Sequence, residues 1–212
     1  MRYETRLLSL VCFAIFAVSI AGCGMLSTKN KGEKAQQNDN SLAGEWRAGC
    51  NKFDWFGFSY QQEVLKFSVV GDFDKVTSFY SDSTCAEPMG NLSEHGTYAA
   101  LGSASSAEGA RDINFTVTQV SVTADSEDAV KLLNAGSYCG ISAWQKGQKT
   151  DILGKSCGGM NHPSGEGVFD VYRVDSDGKR LQTGRGSLFT GNRSDANSRP
   201  GKLDDTHVYS KK

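Results

Sequence analysis

The side chains of this 212-residue chain with most chemistry to offer are six cysteines: Cys12, Cys23, Cys50, Cys85, Cys139 and Cys157. Cys23, preceded by Ala21 and Gly22, alone stands at the end of an apolar run, Leu7 to Ile20, that comes after Arg2 and Arg6. Such a run falls short of the ~20 apolar residues a span requires and has the layout of a secretory signal. A thiol there is a soft nucleophile placed at the end of the apolar run. Cys12, preceded by Val11, lacks that context. Neither a Cys-x-x-Cys pair nor a Cys/His set at zinc-finger spacing is present, so the cysteines do not read as metal ligands.

Other chemistry-bearing patterns are weaker. Gly154-Lys155-Ser156-Cys157-Gly158 matches the Gly-x-Ser-x-Gly of a nucleophile elbow. That elbow needs a helix straight after the serine, and Gly158-Gly159-Met160-Asn161-His162-Pro163 cannot supply one. His95, His162 and His207 are isolated from one another and from paired-ligand spacings. Asp175-Ser176-Asp177-Gly178 begins like a calcium loop but lacks the later ligands and reads better as a hairpin turn. The expectation is a protein that is not an enzyme and carries no cofactor. With 23 Lys+Arg against 24 Asp+Glu and a net charge of −1, there is no basic field to hold polyphosphate, which argues against nucleic acid as a partner.

Ile20-Ala21-Gly22-Cys23 resembles the lipobox of bacterial lipoproteins. The resemblance implies that Cys23 becomes the first mature residue and carries a diacylglyceryl group, whose two chains suffice for stable anchoring. It also implies, from Gly24 after the cysteine, an envelope protein sorted to an outer membrane and facing the periplasm or the cell surface. On this reading residues 1–22 are a lipoprotein signal peptide, 23–41 a lipid-anchored linker, and 42–212 a folded domain. The linker is polar, with Lys29, Lys31 and Lys34 among few large apolar side chains.

From Leu42 onward short apolar runs alternate with Gly, Asn, Asp and Ser, and 24 glycines stand against 3 prolines. The pattern predicts strands over 43–48, 59–70, 75–81, 94–101, 111–122, 138–145, 150–156, 167–174, 179–189 and 205–210. Turns are expected at Gly71-Asp72 and Asp177-Gly178. Leu65, Phe67 and Val69 share one parity, as do Val168, Tyr172 and Val174. Ile113, Phe115 and Val117 lie on the opposite parity to Val120 and Val122, which a bulge near Thr118-Gln119 would reconcile. One helix is expected over Ser126 to Asn134, with Asp125 as its cap and Val130, Leu132 and Leu133 toward a barrel end.

Gly44-Glu45-Trp46 is similar to the Gly-x-Trp signature of lipocalins. Cys50, the run Phe79-Tyr80-Ser81-Asp82-Ser83-Thr84-Cys85-Ala86-Glu87-Pro88, and Gly96-Thr97-Tyr98 resemble the repeat unit of the adenomatosis polyposis coli down-regulated family and its bacterial lipocalin-like relatives. The fold class expected is therefore all-β, an antiparallel lipocalin-like barrel of about 8–10 strands with one short helix, and Trp46 is its core plug. Cys139 and Cys157 flank the Lys146-Gly147-Gln148-Lys149 turn evenly and should meet across a hairpin. That leaves Cys50 with Cys85, the pair the resemblance also implies.

Two functions fit. One is a membrane-anchored envelope lipoprotein binding a lipid or small hydrophobic ligand in its barrel, toward which small residues at Gly96, Ala99 and Gly140 lean. The other is a non-enzymatic interaction or structural lipoprotein with a filled barrel and protein-binding loops. An eight-stranded barrel has room for either, and the sequence names no protein partner.

Overall fold

The computed structural model describes residues 39–55, 57–104, 106–157, 160–161, 167–184 and 195–212. Alternation of inward apolar and outward polar side chains builds most of the strands. These are β1 (Gly44–Ala48), β2 (Asn51–Trp55), β3 (Phe58–Phe67), β4 (Asp72–Tyr80), β5 (Pro88–Ser103) and β6 (Arg111–Ala124). After helix α1 (Glu127–Ala135) come β7 (Lys149–Asp151), β8 (Ser156–Cys157), β9 (Met160–Asn161), β10 (Gly167–Val174), β11 (Arg180–Gly184) and β12 (Leu203–Lys211).

Eight of these strands close on themselves in the order β1, β12, β11, β10, β6, β5, β4, β3, every neighbouring pair antiparallel. Closure is made by β1 on β3, where Gly44 faces Phe67 and Arg47 faces Val64. The result is an up-and-down, lipocalin-like all-β barrel with one helix. β2 extends β3 beyond the point where β1 leaves it, and β7 adds to the second half of β6. Because Gly44 opposes Phe67, the chain joins the barrel at the rim that also carries the β3–β4 hairpin, the β10–β11 hairpin and the last residues of β12. This rim is the near end. The far end carries α1 and the 81–87 loop.

Both expected turns are present. Gly71 (φ 99°) turns the β3–β4 hairpin, with the Ser68 amide donating to the Asp72 carbonyl at 2.9 Å. Gly178 (φ 70°) turns the other, between the cross-strand partners Val174 and Leu181. The bulge is also present: His95 pairs with Gln119 and Gly96 with Val117, so Thr118 is the extra residue that restores Val120 and Val122 to the interior. Val69 lies past the last residue of β3 and is exposed, so it does not join the inward row of Leu65 and Phe67.

The excursion between β6 and β10 departs most from the expected strands. Helix α1 is capped by Ser126, whose hydroxyl accepts from the Ala129 amide at 3.1 Å, and not by Asp125. Its Ala129 and Leu133 are buried, with Val130 and Leu132 packed beside them against the core. Residues 138–145 do not form a strand. Ser137 (φ 45°) and Cys139 (φ 55°) adopt left-handed backbone, and Tyr138–Gly140 is a single 3-10 turn. The Asn134 side chain pins the chain beyond that turn, accepting from the Trp144 amide at 2.7 Å and donating to its carbonyl at 3.2 Å.

Candidate functional site

Inward positions near the chain's point of attachment are aromatic and aliphatic. Trp46 is fully buried, its indole N–H donating to the Leu42 carbonyl at 2.6 Å while the Lys211 ammonium lies 4.9 Å over its ring. Phe67 meets Tyr98 edge-on at 5.0 Å and Phe73 meets Phe115 edge-on at 4.9 Å. Trp46 is thus the plug its position suggested. The chain is fastened to the rim three residues upstream of the expected domain boundary: the Asp39 carboxylate accepts from Tyr172 Oη at 2.8 Å and pairs with Arg111.

Farther along the same strands the interior becomes charged. Glu63, Lys75 and Glu94 project inward from β3, β4 and β5, each no more than 6% exposed. Cross-strand register creates the cluster, since Thr77 faces Glu63 and Glu94 faces Lys75. Lys75 Nζ lies 2.9 Å from Glu63 Oε1 and 4.0 Å from Glu94 Oε2. Glu63 also accepts from Thr77 Oγ1 at 3.3 Å and from Tyr209 Oη, and His207 Nε2 lies 3.0 Å from its other oxygen. Asp170 is buried in the same interior, its carboxylate accepting from the Val171 amide at 2.8 Å.

The two carboxylates titrate in opposite directions. Burial would raise Glu63, but the Lys75 charge and the hydrogen bonds from His207 and Tyr209 outweigh it and hold the group far below the usual carboxylate range. Glu94 has neither oxygen hydrogen-bonded. Its burial dominates, Lys75 offsets that only in part, and the Glu63 charge adds to it, pushing Glu94 up to about 8. Burial thus favours the protonated form of Glu94 beside the Glu63–Lys75 ion pair. Burial opposes charge on Lys75 as well, yet Glu63 and Glu94 keep its pKa above the ordinary lysine value.

The two disulfides are Cys50–Cys85 and Cys139–Cys157, with Cα–Cα separations of 5.9 and 4.1 Å. The second joins the 3-10 turn to β8 and does not cross a hairpin, so the pairing is as expected while its geometry is not. The first closes the 81–87 loop onto the end of β1. That loop is organised by Asp82, whose carboxylate accepts from the Thr84 hydroxyl and from the amides of Glu87, Thr84 and Ala86, which lower its pKa to about 2.

Cys23 lies outside the described residues, as does His162. His95 sits on the outer face with Nδ1 2.8 Å from Asp74, and Ser156 lies on β8, which pairs with β9 where a nucleophile elbow would need a helix. The small residues expected to line a cavity do not. A Cβ on Gly96 would come 2.0 Å from the Thr116 carbonyl oxygen and 3.0 Å from the Phe73 ring, so that position is a close approach at the bulge. Ala99 falls on the half-buried outward parity of β5, and Gly140 is exposed. The polar cluster escaped the sequence pattern, although Lys75 between Phe73, Thr77 and Phe79, and Glu94 between Leu92, Gly96 and Tyr98, share the parity of buried residues.

An open trough of about 430 Å³ lies on the outer face of β3–β6, lined by Val64, Val76, Asp74, His95, Gln119 and the overhanging Lys149 of β7. Among the described residues no group of three or more His, Cys, Asp or Glu is placed to hold a metal ion. No protein-family model matches the chain, and a search of curated proteins finds no match either, so its class rests on its architecture: a small closed antiparallel barrel of lipocalin-like form, cross-linked by two disulfides.

Proposed function

We propose that this protein is a lipid-anchored envelope protein, held by diacylated Cys23, that acts as an interaction module through its outer surface, with a barrel filled by its own side chains. The observation that carries this reading is the closure of the interior. Side chains lining a ligand cavity keep surface open to it, yet Trp46, Leu65, Phe73, Tyr98, Ile113, Phe115, Tyr172 and Leu181 are each 0–3% exposed. At mid-barrel the inward groups are Glu63, Lys75 and Glu94, and an apolar chain laid against an ionised pair would strip hydrogen bonds without replacing them. Two disulfides suit an oxidising compartment outside the cytoplasm.

The membrane anchor rests on the resemblance at Ile20 to Cys23, and Cys23→Ser should release the protein from membranes or trap its precursor. For the filled barrel, native mass spectrometry of protein purified from host membranes should show the mass of the polypeptide and its anchor alone. A stoichiometric lipid that dissociates without unfolding would favour the ligand-carrying alternative.

A further inference from the structure

Val69 and Val70 are the large apolar side chains that the described residues leave exposed, at 61% and 75% of their surface. Single exposed apolar residues are ordinary on protein surfaces, but two neighbours fixed at the tip of one hairpin are not scattered. The tip is held in place by its own hydrogen bonds. The Ser68 hydroxyl accepts from the Asp72 amide at 2.8 Å, Tyr98 Oη donates to the Ser68 carbonyl at 2.8 Å, and the Tyr98 amide donates to the Gly71 carbonyl at 2.7 Å. The β10–β11 hairpin at the same rim is tipped instead by Asp175, Ser176, Asp177 and Gly178.

The position of the pair matters as much as its chemistry. Gly44 opposes Phe67, so the chain leading from Cys23 meets the barrel at the rim from which Val69 and Val70 project, and Asp39 fixes it there through Arg111 and Tyr172. The stretch from Cys23 to Asp39 reaches at most about 55 Å. The near end is therefore the part of the barrel that a lipid at Cys23 keeps closest to a bilayer.

We propose that the Val69–Val70 tip enters the bilayer interface that holds the Cys23 lipid, so that the near end of the barrel faces the membrane and the far end faces away. This rests on the anchoring proposed above and adds an orientation to it. Ser68 and Gly71 flank the valines, so shallow insertion buries two apolar side chains while the tip backbone stays at headgroup depth. The charged residues nearest in sequence are Lys66 and Asp72, and the long stem of Lys66 lets its ammonium stay among headgroups. The outer trough and the 81–87 loop remain accessible to a partner.

The test uses the full-length protein in membranes of its producing host, labelled with an environment-sensitive fluorophore through Val70→Cys or, as the far-end control, Gln145→Cys. Nitroxide-bearing phospholipids are then fused into the membranes. The proposal expects a blue-shifted Val70→Cys emission, quenched several-fold more strongly than that of Gln145→Cys. A membrane-bound protein whose two labels are both water-like overturns the orientation while leaving the anchor intact. A blue-shifted tip label indifferent to lipid quenchers also overturns it, because a protein surface then covers the tip. Protein that fails to sediment with membranes counts against the anchor itself, and the orientation falls with it.

Discussion

At the near end the barrel interior is Trp46, Leu65, Phe67, Phe73, Tyr98 and Phe115, whereas farther along β3, β4 and β5 the inward positions are Glu63, Lys75 and Glu94. The first layer needs no partners beyond close contact, and each such side chain contributes about 1.5–3 kcal/mol on burial. The second layer contributes little net stability, since desolvation offsets most of the attraction, but it penalises any arrangement that separates its members. The contrast separates what stabilises this barrel from what would oppose an apolar guest in its interior.

The largest effect should come from removing the shared cation. Lys75→Met leaves Glu63 ionised and buried without its ammonium, and urea unfolding should show a loss of about 3–5 kcal/mol. A loss under about 1 kcal/mol would mean that the charged layer is more hydrated than its burial indicates. In the apolar layer the matching change, Leu65→Met, conserves volume and should lose less than about 1.5 kcal/mol.

The two carboxylates should shape the pH profile from opposite sides. Glu94 is raised from 4.5 to about 8, so its contribution is complete below pH 4.5 and lost as pH rises toward 8. Glu63 is depressed, so its contribution is complete above pH 4.5 and lost as pH falls below it. Their joint contribution peaks at about pH 5, with an alkaline slope approaching roughly 1 kcal/mol per pH unit. Glu94→Gln should flatten that alkaline limb and leave the acid limb unchanged, as read by urea midpoints between these limits. An unchanged alkaline limb would separate Glu94 from the effect.

A smaller change sharpens the picture at the far end, where α1 closes the barrel. Ser126→Ala should lose about 1 kcal/mol by removing the oxygen that accepts from Ala129. The same change at Asp125, which the sequence suggested as the cap, should have less effect on the helix.

Much of this fold was legible because a barrel strand repeats every two residues. The parity change between Val117 and Val120 located the bulge, and Gly71 and Gly178 located two turns. Parity failed where attention to apolar residues alone hid Lys75 and Glu94, which occupy inward positions as regularly as Phe73 and Tyr98 do. It failed differently at 138–145, where left-handed backbone at Ser137 and Cys139 makes a 3-10 turn that no two-residue period can reveal. The Cys139–Cys157 pair was expected across a hairpin around Lys146–Lys149; the bond forms, but between a 3-10 turn and β8, so the pairing is right while the hairpin behind it is absent. The candidate site was less legible than the fold: the trough depends on β7 settling beside β6, a long-range pairing that leaves no local signature.

We propose that the interior is a closed, partly charged core and not a cavity for an apolar chain. Titration of the purified protein with a fluorescent fatty-acid probe, competed with unlabelled fatty acids and lysophospholipids, tests it most directly. No saturable, competable signal is expected for the protein, and none gained by Glu94→Gln. Saturable binding that is competed by unlabelled lipid and abolished by Leu92→Trp, a bulky change at an inward position, would contradict it.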